Sequence, residues 1–342
     1  MKDENPRENR HAIELQTDLI EQGVIPSDLE IDLYQQVHGG ADTTIFEIGF
    51  KNHSTKYIQR ILRLSASRAS AEFEFTNQKT LFENGINVPE TFLIKHPPNT
   101  YGRSYYVMQK IEGTPLDDVF RSHPEQFEEL VNSFILELVK IHSINPSLLS
   151  LIPKMDIENN PYAVIDQALR GIKLRIERFP DDLVEMSVLV NWLDENKTKN
   201  PCNELVVIHG DYHPLNIIVD DQHRFQILDW TGINISDFRR DLGFTATILS
   251  AGTDQNLAPL IAKKYEELTG KKVENLEYFM ILSSAWNLLR MYSGLNNHAI
   301  NNESEETLRF FKSIREYPLL LVDLVSEECG IELKQIRRYF SE

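Results

Sequence analysis

Cysteine is nearly absent from the 342 residues. Cys202 and Cys329 are the only two, too few for a disulfide framework and without neighbours at metal-ligand spacing. Basic residues are the minority, 35 Lys and Arg against 52 Asp and Glu, for a formal charge of −17. Such a field repels a phosphate-rich polymer unless a local basic patch opposes it. The basic pairs Arg239-Arg240, Lys263-Lys264, Lys271-Lys272 and Arg337-Arg338 are short and scattered, so no nucleic-acid partner is expected. No apolar run approaches the ~20 residues needed to span a bilayer. The opening Met1-Lys2-Asp3-Glu4-Asn5-Pro6 carries no apolar signal-peptide core. The expectation is a cytoplasmic protein with no membrane partner. Also missing are the Gly-x-x-x-x-Gly-Lys-Ser/Thr loop of Walker-type NTPases and the His-Glu-x-x-His zinc motif.

What is present reads as a globular protein: hydrophobic residues make up 41%, enough for a sizeable core. After a polar extension over residues 1–30, with a short helix around Ile13 to Ile20, strand-like stretches appear at 31–37, 44–50 and 57–64. The Gly39-Gly40 and Asn52-His53-Ser54 turns split them. A helix is expected from Ala69 to Glu83, closed by Asn84-Gly85, then strands at 90–95 and 104–111. Helical periodicity dominates the rest, at 125–142, 161–178, 181–196, 254–269, 274–293 and 305–325. One β island, Leu205 to Trp230, interrupts it. The reading is an α+β chain: a strand-rich lobe over 31–111, and a helix-rich lobe over 112–342. The seam between two lobes is a common place for a ligand cleft.

The β island carries the chemistry. Val207-Ile208 leads into His209-Gly210-Asp211-Tyr212-His213-Pro214-Leu215-Asn216, then Ile217 to Val219, a turn at Asp220 to His223, and Phe225-Gln226-Ile227-Leu228-Asp229-Trp230. If Ile217–Val219 and Phe225–Leu228 form a hairpin, its two ends lie side by side and bring Asn216 and Asp229 together next to Asp211. Asp, Asn and Pro all favour turns, and a turn accounts for each residue singly, but not for their joint placement around a hairpin. Three oxygen-bearing side chains at one point suit phosphoryl transfer. Mg2+ takes one or two oxygen ligands from protein and leaves the rest to phosphates and water, a role for Asn216 and Asp229. Asp211 is then the group that orients an attacking hydroxyl and accepts its proton, which leaves late from a loose transition state.

His-Gly-Asp-x-x-x-x-Asn followed by Ile-Leu-Asp-Trp resembles the aminoglycoside phosphotransferase and choline kinase-like enzymes, distant relatives of protein kinases. The resemblance runs over roughly residues 31–300 and is most specific over 205–241. It implies a protein-kinase-like bilobal fold, with a small antiparallel N-lobe and a larger helical C-lobe. It also implies an O-phosphotransferase that moves the γ-phosphate of ATP or GTP, with Mg2+, to a hydroxyl of a small molecule. Asp237 and Asp241 resemble the acidic residues that cap a helix and brace the loop in that family; His209 and His142 read as structural histidines.

The same resemblance places a phosphate loop at Gly39 and Gly40, where backbone N–H groups approach phosphates closely, although the full Gly-x-Gly-x-x-Gly pattern is absent. On the third strand, alternation sets Ile58, Arg60, Leu62 and Leu64 on one face, and Arg63 on the other. Arg60 on the more apolar face becomes the buried phosphate cation, and a buried Arg calls for a carboxylate. Glu74 is the expected partner, with Glu72 as runner-up. Backbone groups from Gln109 to Ile111 occupy the position of an adenine-binding hinge. The alternatives are a catalytically silent nucleotide-binding module and a protein kinase. Against the first, every catalytic and metal position is filled; against the second, Asp-Phe-Gly, Ala-Pro-Glu and an activation segment are absent. The acceptor stays open among aminoglycosides, macrolides, amines, amino alcohols and sugars. Trp286, Arg290 and Tyr292 lie on a helix that could face it, with core packing the preferred role for Trp286.

Overall fold

Antiparallel strands fill the first third of the chain. In the computed structural model, which describes residues 6–37, 43–64, 66–149, 155–179, 183–253, 255–301 and 316–341, five of them form one sheet. They are β1 (Ile31–Val37), β2 (Thr44–Phe50), β3 (Tyr57–Ile61), β4 (Thr91–Lys95) and β5 (Tyr105–Gln109), in the order β1-β2-β3-β5-β4. The expected phosphate-loop glycines Gly39 and Gly40 lie outside the described residues.

Helices cover both faces of this sheet. α1 (Pro6–Glu21) sets Leu15 and Leu19 four residues apart on one face, and both are fully buried among Phe46, Ile48, Tyr57 and Tyr105. Asp18, also buried, ion-pairs with Lys95 and accepts the Tyr105 hydroxyl at 2.6 Å. The segment read as a polar extension thus supplies part of the sheet's core. On the other face α2 (Arg68–Glu83), capped by Ser67 Oγ on the Ser70 N–H at 3.1 Å, brings Ala71 against Leu62 and Tyr106. This double cover changes the account of β3. Arg60 is buried and Arg63 exposed, as alternation requires, yet Tyr57, Gln59 and Ile61 on the opposite face are buried as well. The strand ends at Ile61, and Leu64, placed inward by the pattern, is 81% exposed.

Contacts divide the chain into two units, Met1–Pro115 with Ile217–Leu228, and Leu116–Asn216 with Asp229–Glu342. The hairpin of β8 (Ile217–Val219) and β9 (Phe225–Ile227) therefore groups with the strand-rich unit, although its neighbours in sequence are helical. The reason is pairing. β6 (Thr114–Pro115) adds to β8, and the Ile227 N–H donates to the Asn87 carbonyl at 2.8 Å. Gly113 just before β6 is required here: a Cβ would stand 2.3 Å from the Val219 carbonyl oxygen.

The second unit is helical. It comprises α3 (Leu116–Ser122), α4 (Phe127–His142), α5 (Ala163–Ile176), α6 (Val184–Asn196), α7 (Arg239–Thr253), α8 (Ala258–Thr269), α9 (Leu276–Asn301), α10 (Glu316–Cys329) and α11 (Lys334–Ser341). Ile172, Leu189, Phe279, Leu289 and Leu321 anchor its core. Of the helix expected over 305–325, residues 305–315 lie outside the described residues. The short pair β7 (Val206–Ile208) and β10 (Asn234–Ser236) is antiparallel, with Ile208 opposite Asn234.

Candidate active site

β7 is buried along its whole length and feeds directly into the loop 209–216. The base of that loop is held by one carboxylate. Asp241, in the first turn of α7, accepts the backbone N–H groups of His209 and Gly210, both at 2.8 Å, and His142 Nε2 lies 3.2 Å away. Asp241 is fully buried. Burial pushes its carboxyl up, but the bond and charge of His142, the charge of His209 and the Gly210 N–H outweigh that and hold it below the ordinary range. His142 is itself fixed by the Tyr265 hydroxyl at 3.0 Å. Asp237 is spent in the same way, on the Arg239 guanidinium at 2.7 Å. Both acids are structural braces, and neither is available to attract a cation.

Gly210 is dictated by sterics. Its φ is +81°, and a Cβ would meet the Gly232 carbonyl oxygen at 2.3 Å. The same packing sets the Trp230 ring 4.5 Å from that of His209. Tyr212, fully buried, pins the loop from below: its hydroxyl donates to the Phe134 carbonyl at 2.7 Å, and its carbonyl accepts from Thr245 Oγ1 at 2.8 Å.

At the tip stand the predicted catalytic and metal residues. Asn216 Nδ2 donates to the Asp211 carbonyl at 2.9 Å and lies 3.4 Å from Asp211 Oδ2. His213 Nε2 is 3.8 Å from the same carboxylate. Burial alone would raise the Asp211 pKa. The His213 imidazole beside it, with the charges of Arg290 and His209 behind, brings it down to about 2. Asp229 follows the far end of the β8–β9 hairpin, in which Ile217 pairs with Ile227. Its backbone is left-handed (φ 58°, ψ 70°), a sparsely populated state for a non-glycine that Asp tolerates better than most residues. Thr231 Oγ1 donates to its carboxylate at 3.0 Å. The structure thus brings Asp211 and Asn216 into direct contact. It ties Asp229 to them through the packing of Trp230 and Gly232 on the loop base.

In the strand-rich unit, Arg60 Nε lies 4.0 Å from Glu74 Oε2. Glu72, the runner-up, instead meets His96 Nε2 at 2.8 Å and Arg68 at 3.7 Å. At the expected hinge, the Gln109 N–H goes to the Glu90 carbonyl at 2.8 Å and the Lys110 N–H to the Lys56 carbonyl at 3.0 Å. Among the described residues, the Ile111 N–H takes no backbone partner.

Two cavities differ in what they offer. The larger, about 600 Å³ and lying in the strand-rich unit, is lined by Lys56, Gln109, Lys110, Ile111 and Asp220 among others. Its two lysines are already engaged by Glu47 and Glu112. Asp211 lines the smaller one, about 50 Å³, with Phe244, Trp286, Asn287 and Arg290. Trp286 packs against the helical core, as expected, and also lines this cavity, whereas Tyr292 is buried against Phe179 and Tyr339. Sequence reasoning gave His213 no role; its place two residues after Asp211 was the available signal. Nothing in the local pattern pointed to Arg175 on α5, whose guanidinium covers the Trp286 ring at 3.9 Å.

The loop carries Asp-x-x-x-x-Asn with an Asp beyond the hairpin, the order of the catalytic-loop and metal-binding residues in protein kinases. The chain belongs to the phosphotransferase enzyme family, whose model matches residues 34–274, and has an α+β, protein-kinase-like fold. Among curated relatives, acyl-CoA dehydrogenase family member 11 of Pongo abelii is 26% identical over 166 residues, 46% of this chain and 20% of that protein. The chain thus spans about a fifth of that relative's length. Among solved structures, a Ralstonia eutropha JMP134 protein assigned as an aminoglycoside phosphotransferase superposes with a TM-score of 0.69 at 14% identity, covering 92% of this chain and 97% of that one. The GDP complex of aminoglycoside 2'-phosphotransferase-IIIa does so with a TM-score of 0.60 at 14% identity, covering 92% and 99%. These two likenesses establish the fold.

Proposed function

We propose that the chain transfers the γ-phosphate of ATP or GTP to a hydroxyl group of a small molecule. The observation that carries this reading is the placing of Asp211: a half-buried carboxylate on a braced loop, at the wall of a cavity and in contact with Asn216, with its pKa lowered to about 2. Asp211 orients the acceptor hydroxyl and takes up its proton as the oxygen bonds to phosphorus and the nucleoside diphosphate leaves. His213 keeps the carboxylate charged, and Asn216 fixes the backbone from which it projects.

Asn216 and Asp229 are the residues that would hold Mg2+. The bond from Asn216 Nδ2 to the Asp211 carbonyl fixes the amide and turns Oδ1 away from that carbonyl, free to face a hard cation. Among the described residues no group of three or more His, Cys, Asp or Glu is arranged to hold a metal. The sparse pair of oxygen donors suits an ion completed by phosphates and water. When bound, Mg2+ neutralises charge on the transferring phosphates. Nucleotide binding is supported by the GDP-bound neighbour. Arg60, braced by Glu74, and the backbone at Ile111 are the nucleotide-side groups in this reading, with Gly39, Gly40 and Gln109 as the sequence places them.

The test is a screen of hydroxyl compounds for acceptor-stimulated release of ADP or GDP. A compound that stimulates release in the parent and not in Asp211→Asn supports the reading. Equal stimulation in both within tenfold, about 1.4 kcal/mol, would sink the role of Asp211.

A further inference from the structure

The surroundings of the Asp211 cavity are cationic, although the chain as a whole carries −17. Arg290 on α9 lines the cavity and contributes a positive charge that Asp211 feels. Arg175 lies flat on Trp286, another lining residue, and its Nη1 is buried with no hydrogen-bond partner among the described residues. Burial, with the like charges of Arg178 and Arg290 added to it, pushes the Arg175 pKa down. None of the three arginines is ion-paired with a described acid. Of the nearby carboxylates, Asp241 is spent on the loop backbone and Asp237 on Arg239, which leaves Asp211 as the one acid whose charge reaches Arg290.

The polar atoms around this cavity repeat the message. Asn287 lines the cavity and is 5% exposed, and its Nδ2 donor is buried without a partner. The Tyr317 hydroxyl, within electrostatic reach of Asp211 and Arg290, is likewise buried and unbonded. Unbonded buried donors cost about 1–3 kcal/mol each, and such a cluster is kept where something else satisfies it. Each of these groups donates a hydrogen bond and two of the side chains concerned are positively charged, so the missing counterpart is an oxygen-rich anion.

We propose that the acceptor carries an anionic group, a carboxylate or a phosphate, seated on Arg175, Asn287 and Arg290 while its hydroxyl faces Asp211. This rests on the phosphotransferase reading and narrows it. Aminoglycosides and amino alcohols bring ammonium groups that these surroundings repel, so they are set aside as acceptors. Arg175 and Arg290 are specificity-determining residues; they act on the unreactive end of the acceptor.

The experiment compares matched hydroxy compounds that differ in one terminal group: glycerate, glycerol, 3-amino-1,2-propanediol and glycerol 3-phosphate, with longer-chain sets of the same design. Acceptor-stimulated ADP or GDP release and the acceptor-induced shift in Tm with Mg-ADP present are read on the same panel. We expect at least tenfold higher kcat/KM for the anionic member of a set, with carboxylate and phosphate arms deciding which anion fits. In Arg175→Ala that advantage is lost through KM with kcat little changed, and Arg175→Lys restores part of it. In Arg290→Glu the preference moves toward the amine. Preference for the neutral or amine member in the parent, or an unchanged anion preference in both variants, overturns the proposal. So does an anion panel that shifts Tm nowhere. Anion-dependent Tm shifts that vanish in the two variants, without turnover of any compound, would support the anion site while removing the phosphotransferase reading.

Discussion

The base and the tip of the loop 209–216 each carry a carboxylate, fully buried at the base and half-buried at the tip, and the two are used in opposite ways. At the base, Asp241 spends its oxygens on two backbone N–H groups and a histidine. At the tip, Asp211 has one histidine at 3.8 Å, beyond hydrogen-bond reach, and one amide at 3.4 Å, at the outer limit of a bond, and it borders a cavity. A saturated carboxylate stabilises a fold; an under-saturated one keeps lone pairs for a ligand. The difference teaches how to tell a brace from a working group where both are acids on the same loop: count the donors already in place.

Asp211→Asn gives the largest expected effect and tests the tip. Turnover with the best acceptor should fall by about 10³–10⁴-fold, roughly 4–5 kcal/mol of transition-state stabilisation, while the Mg-nucleotide shift in Tm is retained. Loss of that shift together with several degrees of Tm would make the tip a brace like the base, and the contrast would collapse. Asp241→Asn tests the base. It leaves a buried histidine and two N–H groups poorly matched, and should cost about 3 kcal/mol in urea unfolding. A cost below about 1 kcal/mol would show that the base holds without it.

Gly210→Ala probes the backbone between the two. Its positive φ, and a new Cβ that would stand 2.3 Å from the Gly232 carbonyl oxygen, predict a loss of about 2 kcal/mol in thermal melts, with turnover reduced because Asp211 is the next residue. A neutral result would mean that the loop shifts freely, contrary to a preorganised tip.

Much of this loop was legible in the sequence, because its chemistry is local. Asp211, Asn216 and Asp229 announce themselves by spacing around a hairpin, and Asp241 by its place at a helix start. Strand β3 shows where local reading stops. Alternation correctly buried Arg60, but nothing near residues 57–64 reveals that Leu15 and Leu19 come from far upstream to bury the other face. The hairpin's pairing with Thr114–Pro115 and the placing of Arg175 over Trp286 are long-range in the same sense. Periodicity reports which face of an element is apolar. It does not report which distant element will cover it, and the acceptor wall is made of such distant pieces.

Asp220 separates the two properties that Asp241 combines, saturation and deep burial. It accepts the Gln222 and Arg224 N–H groups, both at 2.9 Å, the Arg224 guanidinium at 2.9 Å and Gln226 Nε2 at 3.1 Å, yet it is only half-buried on the rim of the larger cavity. Burial raises its pKa, but these donors, led by the Arg224 backbone, lower it to about 2. Because the folded pKa lies below the unfolded value of about 3.9, the stabilisation is complete above that value and disappears as pH falls through about 4 toward 2. Asp220→Asn should therefore cost about 1 kcal/mol near neutrality. The gap between parent and variant should be flat from pH 7 to about 4.5, then close on further acidification. Thermal melts across that range check it. A gap as large as that of Asp241→Asn would assign the stabilisation to donor count alone. A gap that ignores pH would show that the Asp220 charge contributes nothing, leaving burial as the property that makes the base of the loop strong.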